Sequence, residues 1–216
     1  MKEIYFIFIL QIIFLSSCGK ESNTTDSSSD ENTKNTLTTE VLIHDNLERS
    51  YLLYVPRNTQ NSLKFPLMLN FHGYGQKASQ YAEYADMREL AQKHNFILIY
   101  PQGALLSGYS HWNAGLNTDG NKSNIDDFGF ILKLLEHIAS IHPVDLKRVY
   151  VSGFSNGSFF SYALACYYSE KIAAVASVAG TMMSETYENC NPSHPMPMIS
   201  IHGTKDFVVP YEGTED

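Results

Sequence analysis

The chain has 216 residues, of which 44% are hydrophobic and 18% charged, a composition that suits one globular domain with a real core. Its formal net charge is -8 and its isoelectric point is near 5.4. An acidic chain without a basic stripe argues against a nucleic-acid partner and against electrostatic attraction to anionic lipid. Charge constrains the fold and the chemistry no further.

The first residues have the plan of an export signal. Residues 4–15 are an apolar run that is too short to span a bilayer, and they follow a short polar start. The ending Leu15-Ser16-Ser17-Cys18 resembles a bacterial lipobox. We therefore expect a lipoprotein signal peptide over residues 1–17 and lipidation of Cys18. The alternative is an ordinary signal peptide with an incidental cysteine.

A polar segment follows the signal peptide. Between residues 19 and 39 only Leu37 is apolar, which is too little to drive collapse. Residues 18–39 are thus predicted to be a disordered tether, and residues 40–216 the folded domain. Contact with a membrane is expected only through the lipid anchor.

Two cysteines remain if Cys18 carries lipid. An exported protein experiences oxidising conditions, so Cys166 and Cys190 are candidates for a disulfide. Cys166 falls on a predicted helix, where a buried free thiol is equally acceptable, and both possibilities stay open. A catalytic cysteine is disfavoured, because neither lies in a recognisable Cys-His context.

Predicted strands and helices alternate from about residue 40 onward. Apolar runs predict strands at 41–43, 51–55, 66–71, 96–100, 148–152, 173–179 and 198–201. Helical periodicity predicts helices at 80–94, at 158–168 and in a segment that Ser123 or Asn124 caps and Pro143 stops. Residues 102–123 are predicted to be a loop. This order favours a mostly parallel sheet with helices on both faces and a site at the carboxyl ends of the strands.

The pentapeptide Gly153-Phe154-Ser155-Asn156-Gly157 lies between a predicted strand and a predicted helix. A G-x-S-x-G motif in this context is typical of a nucleophile elbow, in which side chains at the glycines would collide with the strand and the helix. The bare motif is weak, so the rest of the chain must supply a base, an acid and oxyanion donors.

Candidates for two of these parts follow other strands. The oxyanion donors are expected to be the backbone N–H groups of Asn156 and of Tyr74, the latter in the glycine-rich turn after residues 66–71. Asp206 follows the last predicted strand and is expected to be the triad acid. The alternatives are a structural glycine turn and a solvated turn aspartate.

These residues resemble the polyhydroxybutyrate depolymerase and feruloyl esterase-like family of α/β-hydrolases over roughly residues 45–216. The matching blocks are residues 69–75, 100–103, 126–127, 148–157, 173–180 and 202–213. The resemblance implies an α/β-hydrolase fold and hydrolysis of a carboxylic ester through an acyl-enzyme on Ser155, with no metal or organic cofactor. The implied substrates are polyhydroxyalkanoate esters, or feruloyl and acetyl esters on plant polysaccharide.

The main departure from the family is the base. The family's triad histidine follows the acid after one more strand, whereas no histidine follows Asp206 here. In the family, residues at the positions of His72 and His202 help to shape loops. His111 and Trp112 are expected to line the substrate cleft, the alternative being an exposed loop. We expect a truncated member that lacks the last strand and helix and is inactive as given.

Two other functions remain open from the sequence. One is a catalytically dead lipoprotein that uses the fold for binding. The other is a peptidase of the prolyl-oligopeptidase type, which requires an accessory domain that these residues do not encode.

Overall fold

The computed structural model describes residues 36–57, 64–116, 121 and 123–213. The predicted signal peptide, Cys18 and most of the predicted tether lie outside the described residues. No helix in the described ranges is long and apolar enough to cross a bilayer.

Seven strands form the main sheet, in the order β1-β2-β4-β3-β7-β8-β9. They are β1 (Thr38–His44), β2 (Leu47–Tyr54), β3 (Phe65–Phe71), β4 (Ile97–Pro101), β7 (Val144–Phe154), β8 (Ala174–Val178) and β9 (Met198–Ile201). The pairs β1–β2 and β2–β4 are antiparallel, and every other pair is parallel. The prediction of a mostly parallel sheet is confirmed.

Helices cover both faces of this sheet. They are α1 (Ala78–Tyr84), α2 (Arg88–His94), α3 (Asp127–Ile141), α4 (Asn156–Tyr167) and the short α5 (Ser184–Glu188). In β4, Ile97 and Ile99 pack in the core with α3 and α4, whereas Leu98 and Tyr100 pack with α1 and α2. Consecutive strand residues point to opposite faces, so the two cores lie on opposite sides of the sheet.

The helix predicted over 80–94 is two helices, because the side chain of Tyr100 on β4 binds the backbone between them. The Tyr100 hydroxyl donates to the Ala85 carbonyl (2.6 Å) and accepts from the Met87 N–H (3.1 Å). Asp86 accepts from the Arg88 N–H and starts α2. A buried tyrosine on the strand after α2 thus takes the place of helical hydrogen bonds, which the periodicity of one helix does not reveal.

Three smaller boundaries differ from the prediction. β1 begins at Thr38, two residues inside the predicted tether. The predicted loop 102–123 contains a hairpin of β5 (Ala104–Leu106) and β6 (Tyr109–His111). The N-cap of α3 is Asp126, whose side chain accepts from the Gly129 N–H, and not Ser123 or Asn124.

A disulfide joins Cys166 on α4 to Cys190. The question that the sequence left open is therefore answered in favour of pairing. The bond holds the segment after α5 against the helix that follows the elbow.

Candidate active site

Ser155 lies at the tip of a sharp turn between β7 and α4. Its backbone has φ 51° and ψ -116°, a conformation that is costly for a residue with a side chain. The Ser155 N–H donates to the Val178 carbonyl on the neighbouring strand (2.9 Å), and the Ser155 carbonyl accepts from Ser158 and Phe159. A serine held in a strained backbone conformation by the surrounding hydrogen bonds is typical of a nucleophile elbow.

Glycine is required on both sides of the turn. A Cβ at Gly153 would lie 2.0 Å from the Gly157 carbonyl oxygen, and a Cβ at Gly157 would lie 2.3 Å from the Phe71 carbonyl oxygen. Both collisions are with backbone, which has no room to move away. The predicted reason for the two glycines matches these distances.

The two predicted oxyanion donors follow neighbouring strands. Phe71 at the end of β3 pairs with Gly153 on β7, so Tyr74 and Asn156 come from adjacent strand ends. No acceptor in the described part of the chain bonds to the backbone N–H of either residue. The Asn156 N–H opens α4, where the helix dipole also favours negative charge.

His72 is a structural residue beneath the Tyr74 loop. It is fully buried, its Nδ1 lies 2.7 Å from the Gly73 carbonyl, and its Nε2 accepts from the Gly103 N–H (3.0 Å). Burial lowers the pKa of His72 to about 4, so the ring is neutral near pH 7. With both nitrogens occupied, His72 has no lone pair to offer Ser155.

Trp112 connects the two oxyanion loops. The indole N–H donates to the His72 carbonyl (3.1 Å). The Trp112 backbone N–H donates to the Asn156 side-chain oxygen (2.7 Å), and the Asn156 side-chain amide donates back to the Trp112 carbonyl (3.0 Å). Trp112 is 1% exposed and packs against the rings of Phe71 and Phe160.

The structure gives His111 and Trp112 framework contacts. His111 is buried, with Nδ1 3.0 Å from the Ala104 carbonyl and Nε2 2.8 Å from the Ser123 hydroxyl. The alternative, an exposed loop, is therefore wrong, because the side chains of His111 and Trp112 are both buried. Some atoms of each residue reach the wall of a cavity of about 490 Å³ that Asn156, Phe159 and Met183 also line. Their role in substrate binding stays a prediction.

Asp206 lies after β9, with β8 between its strand and that of Ser155. The backbone N–H groups of Val209 and Val208 donate to Asp206 Oδ1 (3.0 and 2.9 Å) and hold the pKa of its carboxyl below its usual range. Asp206 Oδ2 is 3.6 Å from His202 Nε2, which lies 2.8 Å from the Val209 carbonyl. One carboxylate oxygen is thus fixed by the turn, and the other has no close donor among the described residues.

Sequence patterns did not reveal the supports of the site. Gln102 accepts from the Ala78 N–H and lies 3.1 Å from His72 Nε2. Asp127, the first residue of α3, is fully buried, pairs with Arg49 (2.5 Å) and accepts from the Asn113 N–H (2.8 Å). These contacts hold the hairpin and the Trp112 loop. Arg49 lies between the predicted strands 41–43 and 51–55, so no sequence pattern marked it as a buried partner of Asp127.

The described site combines an isolated serine, two free N–H donors and a preorganised carboxylate. Such a set stabilises an oxyanion and orients a base, which is the chemistry of acyl transfer. The described histidines nearest these groups, His72, His111 and His202, each have a ring nitrogen bound to a backbone carbonyl.

Comparisons with known proteins agree with this geometry. Residues 49–201 match the family model described as esterase PHB depolymerase. A bifunctional acetylxylan esterase/xylanase from Neocallimastix patriciarum is 30% identical over 77% of this chain and 23% of its own length. Feruloyl esterase B from Piromyces equi is 30% identical over 76% of this chain and 30% of its own length. The chain therefore spans less than a third of either relative.

Solved structures show the same fold. A thermostable esterase superposes with a TM-score of 0.66 at 20% identity, over 83% of this chain and 50% of that one. An acetyl xylan esterase from Aspergillus awamori superposes with a TM-score of 0.54 at 22% identity, over 68% of this chain and 53% of that one. The expected α/β-hydrolase fold is confirmed.

Proposed function

The chain belongs to the esterase PHB depolymerase family, and from that premise we propose that it is the nucleophile-bearing part of a serine carboxylic-ester hydrolase. The observation that carries this proposal is the backbone of Ser155, held at φ 51° and ψ -116° beside the free Asn156 N–H. Strain of this kind persists only where the surrounding structure enforces it, and it clusters at catalytic residues.

The proposed reaction proceeds through an acyl-enzyme. The Ser155 hydroxyl attacks the ester carbonyl carbon while a base takes its proton. The oxygen of the tetrahedral intermediate accepts from the Asn156 and Tyr74 N–H groups, and the alcohol then leaves with a proton from the same base. Water repeats the sequence on the acyl-enzyme, releasing the acid and restoring the Ser155 hydroxyl.

The base is proposed to be a histidine carried by the protein beyond residue 216. The available oxygen of Asp206 supports this, since a triad acid must accept from the imidazole that it orients. The chain spans less than a third of the length of either relative, which also supports a histidine outside these residues. Residues 1–216 alone are then expected to turn over esters poorly.

The proposed substrates are esters on plant polysaccharide, with polyhydroxyalkanoate esters as the alternative. The names of the relatives support the first class, because they refer to acetylxylan and feruloyl esters. The description of the family model, esterase PHB depolymerase, supports polyhydroxyalkanoate esters.

The test is an activity screen of the product of the whole gene against p-nitrophenyl butyrate, methyl ferulate and polyhydroxybutyrate. Ser155→Ala is expected to lower kcat by at least about 10³-fold while the protein stays folded. Full activity in Ser155→Ala would overturn the mechanism. A whole gene product without any hydrolysis, in a folded state, would favour the binding lipoprotein instead.

We further propose that the protein is exported and lipid-anchored to the bacterial envelope at Cys18, which the lipobox-like Leu15-Ser16-Ser17-Cys18 supports. Cys18→Ala is expected to move the protein from the membrane fraction to the soluble fraction. Retention of the variant in the membrane fraction would contradict the anchor.

A further inference from the structure

A second cavity, of about 630 Å³, lies beside the β5–β6 hairpin and is separate from the one that Asn156 lines. We call it the hairpin groove. Its wall combines polar and apolar side chains, among them Arg49, Ser50, Gln102, Leu105, Tyr109 and Ser110. Its volume is in the range of ligand-binding clefts, which span roughly 300–1,000 Å³.

The groove is continuous with the proposed oxyanion loop. Gly75, the residue after Tyr74, lines the groove and donates its N–H to the Ser110 carbonyl (2.7 Å). The Ser110 hydroxyl donates to the Gln76 carbonyl (2.5 Å). A molecule in this groove therefore lies next to the loop that would hold the reacting carbonyl.

Two exposed tyrosines form the rim where the groove meets that loop. The Tyr74 and Tyr109 rings stack at 5.7 Å with 25° between their planes, and the two residues are 54% and 59% exposed. Exposed aromatic rings beside a cleft are typical of ligand-binding surfaces, because a ligand can cover their apolar faces. The C–H faces of a sugar ring fit such a surface, and its hydroxyl groups remain free for polar contacts.

One buried donor of Arg49, a residue that lines the groove, has no partner. Arg49 is 3% exposed, and its Nη2 binds Asp127, but its Nη1 has no hydrogen-bond partner among the described residues. A buried donor left without an acceptor is destabilising, so it calls for a partner. The charge of Arg49 is already balanced by Asp127, and Glu48 and Lys77 both line the groove. A neutral acceptor such as a hydroxyl group suits these conditions better than an anion.

We propose that the hairpin groove binds sugar residues of a neutral polysaccharide, the alcohol part of the ester. Hydroxyl groups both donate and accept, which matches the mixed donors and acceptors of the wall, and a ring covers the tyrosine rim. A hydroxybutyrate chain offers ester oxygens that only accept hydrogen bonds, and it has no ring to cover the tyrosine rim. The proposal rests on the proposed esterase function for its reaction, and it selects polysaccharide esters over polyhydroxyalkanoates.

Binding without turnover provides the first test. The whole gene product carrying Ser155→Ala is titrated by calorimetry with unsubstituted xylohexaose and, separately, with a 3-hydroxybutyrate trimer. We expect xylohexaose to bind and Tyr109→Ala to weaken it at least about fivefold, as loss of an aromatic contact does. Tyr187→Ala, at another exposed tyrosine that lines neither cavity, is the control and should bind as the parent does. No xylohexaose binding, or equal binding in Tyr109→Ala, overturns the proposal.

A ratio of activities provides the second test. With Ser155 intact, Tyr109→Ala should lower kcat/KM on acetylated xylan at least about fivefold more than kcat/KM on p-nitrophenyl acetate. An unchanged ratio overturns the proposal. Hydrolysis that survives Ser155→Ala contradicts the esterase mechanism alone, because the sugar titration does not depend on turnover.

Discussion

The two halves of the candidate site are held in different ways. The nucleophile half consists of Ser155 and the Tyr74 loop, on strands with cores on both faces, and His72 and Trp112 beneath it are buried. The acid half consists of β9 and the turn at Asp206. All four residues of β9 are exposed, with Ile199 at 63%. The first half is stabilised by long-range contacts, whereas the second is shaped mainly by hydrogen bonds within its own turn.

The two halves therefore owe their geometry to different contacts. The donors of the nucleophile half are fixed before any substrate arrives, which is the condition for oxyanion stabilisation. The carboxylate of Asp206 is preorganised too, but by the N–H groups of Val208 and Val209, which belong to its own turn. The same type of mutation should therefore have large effects in one half and small effects in the other.

Glycine substitutions should give the largest contrast. A Cβ at Gly157 would lie 2.3 Å from the Phe71 carbonyl oxygen, whereas a Cβ at Gly203 would have open space. We expect Gly157→Ala to lower the free energy of unfolding by about 3 kcal/mol or more, since backbone must move. Gly203→Ala should change it by less than about 0.5 kcal/mol. Urea unfolding measures both, and equal losses would contradict the comparison.

Acid should weaken the nucleophile half through His72. Its folded pKa of about 4 is below the usual 6.5, so the unfolded chain binds the proton more tightly. The stabilisation is complete above about pH 6.5 and is lost as pH falls through 4, with a limit of about 3 kcal/mol. His72→Gln should flatten this part of the profile of unfolding free energy against pH. The same slope in wild type and His72→Gln would show that His72 is not the titrating group.

The sequence was sufficient for the fold and the elbow because both depend on local patterns. Apolar runs identified the central strands, and the spacing of Gly153, Ser155 and Gly157 carries the steric requirement of the turn. Asp206 became the candidate for the triad acid by its position after a strand. Each of these features depends on a few consecutive residues, so it can be predicted from the sequence without a structure.

The supports of the site escaped prediction because they join distant residues. Trp112 and Asn156 are 44 positions apart, and Arg49 and Asp127 are 78 apart. His111 was expected at the substrate cleft, yet its ring is bonded to Ala104 and Ser123 within the fold. The bonds of the Tyr100 hydroxyl between α1 and α2 also join separate elements. Periodicity describes one element at a time and carries no information on which partner a polar side chain meets.

The indole N–H of Trp112 is expected to tune the oxyanion loop. In Trp112→Phe the His72 carbonyl loses its donor while the backbone bonds to Asn156 remain possible. The Tyr74 N–H is two residues after the His72 carbonyl, so loss of that bond should loosen the proposed oxyanion donor. We expect kcat on p-nitrophenyl butyrate to fall about tenfold with little change in KM, because the donor acts in the transition state. Phe207→Leu, at a 92% exposed ring in the acid half, is the control. A rise in KM with unchanged kcat would assign Trp112 to substrate binding instead.

The smallest effect is expected at β9. Ile199 is 63% exposed, so Ile199→Ala in residues 1–216 should change the free energy of unfolding by less than about 0.5 kcal/mol. Leu69 on β3 is fully buried, and Leu69→Ala should cost about 2–5 kcal/mol. In the product of the whole gene the cost at Ile199 should rise towards that at Leu69, because an apolar edge strand is expected to be covered in a working enzyme. If the cost at Ile199 stays small in both proteins, the acid half remains open. The proposed histidine would then have to reach Asp206 without a segment packed on β9.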